Sequence, residues 1–165
     1  MKIALAHDWL VARRGGELVL DAIARTLLDD QHAISKIYAM FDSGASITPM
    51  IDGLNKEISP LNKLPQSLRR WQLFRYPGAV EYLSEQLAKD HRAEPVDMVI
   101  STHSAAIKAL RPPARTDNAG AIPHLCYCHT PARYLWSQQG AYGAGGIKGR
   151  LRSLGLGVCT PRLRH

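Results

Sequence analysis

No Asp or Glu occurs after Asp117, although the chain continues to His165 and carries six Lys and Arg over that span. The net charge of +7 is therefore concentrated in the C-terminal third, since residues 1–117 hold 15 basic and 14 acidic side chains. Such asymmetry suits nucleic acid, an anionic membrane surface or a phosphate-bearing substrate, and does not choose between them. RNA-binding aromatic motifs, helix-turn-helix patterns and zinc-finger spacings are missing, which argues against nucleic acid as a partner. Cysteine is scarce: Cys126, Cys128 and Cys159 are an odd number without disulfide-type spacing, as expected in a reducing compartment. Nowhere does an apolar run approach the ~18 residues that span a bilayer, and no basic-then-apolar leader precedes the first strand. The expectation is a cytoplasmic protein. Its 165 residues, 45% hydrophobic, suit one domain with a real core.

What is present begins at once. Lys2-Ile3-Ala4-Leu5-Ala6 is a short apolar run suited to a strand buried on both faces of a parallel sheet. His7-Asp8-Trp9 interrupts it where the strand should reach its carboxyl edge, the edge at which open α/β sheets bind ligands. Gly15 and Gly16 follow, able to take positive φ and turn N–H groups toward an anion at the start of a helix near Glu17. The helix dipole, Arg13 and Arg14 add positive potential, so the loop is a candidate phosphate site. It is not a G-x-G-x-x-G motif, and a plain βα turn with a charged, solvated lip is the alternative. Val19, Leu20, Ile23, Ala24 and Leu27 predict the buried stripe, with Glu17, Asp21 and Arg25 on the wet face.

Residues 34–41 read as a second strand and 44–65 as loop with at most a short strand around Ile58. A helix is expected over 66–74, interrupted by Pro77-Gly78 and resumed over 79–89. Arg69, Arg70 and Arg75 beside Trp71, Phe74 and Tyr76 read either as an ordinary basic outer face or as a surface for anionic lipid or a lipid-linked substrate. Residues 96–100 form a buried strand, with Ser101-Thr102-His103-Ser104 at its carboxyl end and Ser104 a good N-cap for a helix over 105–110. Another strand covers 124–127. His124, Cys126, Cys128 and His129 raise the question of zinc, but alternation sends 129 to the face opposite 124, 126 and 128, and no second ligand pair exists. The cysteines read as small core residues and His129 as exposed at the edge, and no metal is expected. The fold class is α/β, a Rossmann-like parallel sheet flanked by helices.

Three stretches together carry a resemblance: His7-Asp8-Trp9-Leu10 with Arg14-Gly15-Gly16-Glu17, then Ser101-Thr102-His103-Ser104-Ala105, then Cys126-Tyr127-Cys128-His129-Thr130-Pro131 with Arg133-Tyr134-Leu135-Trp136. In order and spacing they resemble the N-terminal half of bacterial retaining glycosyltransferases of family 4, with the GT-B fold. The resemblance implies that 1–165 is the acceptor-side Rossmann-like domain, incomplete, with the donor-binding domain absent from this sequence. It implies hexosyl-type transfer from a nucleotide-sugar to a glycan or lipid-linked acceptor in cell-surface polysaccharide synthesis, with peripheral contact at the inner face of the membrane. The 165-residue chain alone should be inactive. By resemblance, Gly15 and Gly16 lie beside the donor diphosphate with Arg14, and His129 reaches the transferring sugar or its phosphate as the catalytic residue. His103 and Arg133 are further cleft residues. The nucleotide-sugar is a co-substrate, and no cofactor or metal is implied. From a different class, a non-catalytic α/β module that holds an anion or a partner at the same edge explains the same residues.

Overall fold

The computed structural model describes residues 1–69, 72–103, 106–117 and 120–129, and the side chain of His103 lies outside the description. Five parallel strands form one sheet: β1 Lys2–Leu10, β2 Ala33–Asp42, β3 Lys56–Ile58, β4 Met98–His103 and β5 His124–Cys128, in the order β3-β2-β1-β4-β5. The chain first moves outward from β1 to β2 and β3, then returns to the other side of β1. The strand order thus reverses between β1 and β4. The Rossmann-like α/β fold expected from the sequence is present.

Two helices account for the two faces. Helix α1 (Gly15–Asp29) joins β1 to β2, and its Leu20 and Ala24 pack with Ile3, Leu5, Ile37, Ala39 and Ile100. On the opposite face, Val80, Leu83 and Leu87 of the long helix α4 (Tyr76–Ala93) pack with Ala4, Ala6, Tyr38, Met40 and Val99. Successive strand residues alternate between these layers because strand side chains have a period of two. Each fully buried Leu or Val contributes about 1.5–3 kcal/mol, so the two layers are the main support of the sheet.

Several expectations are corrected. β1 continues through His7, Asp8 and Trp9 to Leu10, because these residues pair with β2 rather than breaking away. Helix α1 starts at Gly15, and neither Gly15 nor Gly16 has positive φ, which among the described glycines belongs to Gly44 and Gly120. Glu17 and Asp21 are buried rather than wet. Asp21 accepts from Arg25 Nε (2.8 Å) and from the Thr48 hydroxyl (2.5 Å), Thr48 being the N-cap of a short helix, α2 (Pro49–Gly53), in the stretch read as loop. Burial pushes the Asp21 carboxyl up, yet those two partners outweigh it and hold it below the usual range.

The stretch before α4 is a one-turn helix, α3 (Gln66–Arg69), followed by a 3₁₀ turn, Leu73–Arg75. Pro77 does not interrupt the next helix: it sits in the first turn of α4, where a missing N–H costs nothing. Arg69 is not on an outer face. It is buried, donating from Nε to Leu64 O (3.0 Å) and from Nη2 to Asn62 O (2.8 Å), with its guanidinium 5.5 Å from the centre of the Phe41 ring. After β4 the helix expected over 105–110 is reduced to a 3₁₀ turn, Ile107–Ala109, and Ser104 lies outside the described residues.

Candidate functional site

The reversal of strand order places the carboxyl ends of β1 and β4 side by side, the position where open α/β sheets take their ligands. The last pair across that boundary is His7 with Thr102. His7 shares the face of Ile3 and Leu5, so its imidazole points toward the α1 side. Nδ1 lies 3.0 Å from Thr102 O and 2.6 Å from Thr102 Oγ1. A carbonyl only accepts, so Nδ1 carries the proton and, in the neutral ring, Nε2 is left as an acceptor. His7 is only 5% exposed, and desolvation holds its pKa below the ordinary value; the neighbouring His129 works in the same direction, against Asp8, Glu17 and the Thr102 carbonyl.

Above His7 lies the first turn of α1. Arg14 is the N-cap, with extended backbone and no side-chain cap bond, and the first intrahelical bond runs from Leu18 N to Arg14 O (2.9 Å). The amides of Gly15, Gly16 and Glu17 therefore stand ahead of the helix ladder, which makes this end attractive to an anion. Arg13, Arg14 and Gly15 are exposed and form the lip. Glu17 is turned back: its Oε1 accepts from Val11 N (3.2 Å), closing the βα turn instead of facing solvent.

The third element is the residue after β5. Tyr127 pairs with Thr102, and two residues later His129 projects to the same face. Its ring lies edge-on to Tyr127 (5.1 Å between centroids) and perpendicular to His7 (6.4 Å). A Cβ placed on Gly16 would stand 3.6 Å from His7 Cε1, 3.8 Å from His7 Nε2 and 3.7 Å from His129 Nε2. Gly16, His7 and His129, from three separate segments, thus meet at one point on the carboxyl edge. His129 is half-buried rather than exposed, and its Nε2 is buried without a hydrogen-bond partner among the described residues. A buried imidazole nitrogen without a partner is costly, and a ligand group or water would repay it.

Asp8 serves the neighbouring backbone. It is buried, and its Oδ1 accepts from Ala106 N (3.0 Å) and Ile107 N (2.8 Å), fixing the chain as it leaves β4. The site can therefore offer the N-terminal amides of a helix and two arginines to an anion, with two imidazoles behind them and a carboxylate-held turn on the far side.

The expected site residues divide accordingly. Gly16 and His129 are brought together; Gly15 and Arg14 form the lip. His103 ends β4, in register with Cys128, while Ser101 and Thr102, expected as polar groups at the carboxyl end of that strand, are strand residues with no exposure. Arg133 lies outside the described residues. His7, Thr102 and Asp8 were given no individual role by the sequence. The signal for His7 was the alternation Ile3, Leu5, His7, which carries an apolar face onto a polar residue at the strand end. The cysteines expected in the core are exposed at 126 and 128, and Cys159 is outside the description. They occupy the face of His124, whose Nε2 lies 2.8 Å from Ser101 Oγ, opposite the face that carries His129. Comparison of the chain with family models, with curated proteins and with solved structures gave no match.

Proposed function

We propose that this chain is the acceptor-side, N-terminal half of a retaining glycosyltransferase of the GT-B type, whose parent enzyme moves a sugar from a nucleotide-sugar to a glycan or lipid-linked acceptor. The observation that carries the reading is the approach of His129 to Gly16, close enough that a Cβ on Gly16 would lie 3.7 Å from His129 Nε2. Two of the stretches on which the resemblance rests, more than a hundred residues apart, meet at the strand-order reversal, where a helix N-terminus and two arginines favour a diphosphate. In this reading the amides of Gly15 and Gly16, with Arg14, hold phosphate oxygens as their charge grows on departure of the sugar. His129, through Nε2, donates to or accepts from the transferring sugar or its phosphate. His7 positions His129 and the first turn of α1 from beneath, its ring fixed by Thr102.

Catalysis needs donor and acceptor in near-attack geometry, so the 165-residue chain alone should bind weakly and not turn over. The test is NMR on the chain, following the Gly15 and Gly16 amides and the His129 ring while a panel of nucleoside diphosphate sugars is titrated to millimolar concentration. Saturating shifts at those signals for at least one member, lost in His129→Ala, support the reading. Absence of shifts there from every member overturns it.

A further inference from the structure

The two exposed cysteines play no part in the site above. Cys126 and Cys128 lie on β5, an edge strand of the sheet, and both are exposed free thiols. They stand in register with Ser101 and His103 of β4 and, being two residues apart, project from the same face of the strand. That face is opposite the one carrying His129, so the sheet itself separates the two thiols from the meeting point of Gly16 and His129. Free cysteine is among the most buried residue types, and a pair of thiols held in water on one strand is a departure from that habit.

Their spacing limits what the pair can do. Alternate residues of a strand stand about 6.4–6.8 Å apart, at the upper end of the roughly 4.4–6.8 Å between α-carbons that a disulfide bridges. A disulfide within β5 would therefore pull the strand out of its ladder with β4. One atom placed between the sulfurs removes that demand: with metal–thiolate bonds of about 2.3 Å, an ion holds two sulfurs as much as about 4.6 Å apart. Zinc is a poor occupant, because it takes four ligands and, among the described residues, no group of three His, Cys, Asp or Glu is placed to hold a metal ion. His124 shares the face, but its Nε2 is engaged with Ser101 Oγ at 2.8 Å. Two thiolates without further ligands suit a soft monovalent ion, for which thiolate is the preferred donor. Charge points the same way. Two thiolates and one monovalent cation are together a single negative charge, and the chain after Asp117 has six Lys and Arg and no Asp or Glu to meet it. With a divalent ion the complex is neutral and draws nothing from that field. We propose that Cys126 and Cys128 form a two-thiolate clamp for a soft monovalent metal ion of the copper(I) type, each thiol releasing its proton as its sulfur binds. This inference does not depend on the glycosyltransferase reading.

The experiment titrates copper(I) into the full 165-residue chain without oxygen, in competition with the chelator bicinchoninate. Wild type should take one copper(I) per chain. Alkylation of the copper-loaded wild type, read by peptide mass, should find Cys126 and Cys128 protected, which identifies the ligands without any substitution. Cys126→Ser and Cys128→Ser should each weaken binding by more than the about 10–100-fold that loss of an outer-shell partner causes, with an unchanged melting temperature. Cys159→Ser should bind as wild type. Zinc(II) in place of copper(I) should leave both thiols open to alkylation. Failure of wild type to bind copper(I), alkylation of Cys126 and Cys128 in the loaded chain, full affinity in either single variant, an equal loss in Cys159→Ser, or protection of both thiols by zinc overturns the proposal. So does sedimentation that finds one copper(I) shared between two chains.

Discussion

The α-carbon of Gly16, in the first turn of α1, faces the ring nitrogen of His129 beyond β5, close enough that a methyl group there would lie 3.7 Å from His129 Nε2 and in similar contact with His7. These are ordinary van der Waals separations, so the position has room for one carbon and no more. Because Gly16 has no positive φ, its backbone accepts an L side chain.

Gly16→Ala should therefore fold normally and gain about 0.4–1 kcal/mol from reduced freedom of the unfolded chain. Gly16→Leu should push the His7 and His129 rings apart and displace their NMR signals. Thermal melts of both variants, with ring spectra, check this. A large destabilisation by alanine would show that the first turn is strained.

Stability should fall on mild acidification. Burial lowers the folded-state pKa of His7 from its ordinary 6.5, and does the same to His124. As pH drops below about 6.5 the unfolded chain takes up protons that the folded chain refuses, so the folded state loses ground until the lowered pKa values are reached. Urea midpoints between pH 8 and 5 should decline, and His7→Gln should flatten part of the decline. A midpoint that rises over that range would contradict the burial of both rings.

Asp8→Ala strands two amides, Ala106 N and Ile107 N, that the carboxylate now satisfies in a buried setting. Each unsatisfied buried group costs about 1–3 kcal/mol, so a loss of roughly 2–5 kcal/mol is expected. Asp8→Asn keeps an acceptor oxygen and should lose less. Chemical denaturation measures the order; equal losses would place the effect on charge rather than on acceptance.

Arg69→Met should cost roughly 2–4 kcal/mol, because a buried guanidinium that bonds several carbonyls is replaced by a side chain that bonds none. A melt shifted by less than about two degrees would show Arg69 to be a surface residue, as its sequence neighbourhood suggested.

The local sequence by itself determined the sheet class and the main strands and helices, but not the short elements: α2 lies in a stretch read as loop, and the helix expected over 66–74 is a single turn followed by a 3₁₀ turn. The apolar runs around 2–6, 34–41, 96–100 and 124–127 are too short and too β-rich for buried helices, and the 3.6-residue period of α1 and α4 needs no tertiary information. It also determined that His129 leaves the face of Cys126 and Cys128, since strand alternation is strictly local. What only the tertiary structure decided is which polar groups are wanted inside. Glu17, Asp21 and Arg69 read as solvated because charge is normally kept in water. Each is buried here because a partner distant in sequence or turned back along the loop, Val11 N, Thr48 or the carbonyls of Asn62 and Leu64, satisfies it. The meeting of Gly16 with His7 and His129 belongs to the same class. It follows from the register of three strands and the reversal of their order between β1 and β4, and no local period of the sequence encodes a register between strands nearly a hundred residues apart.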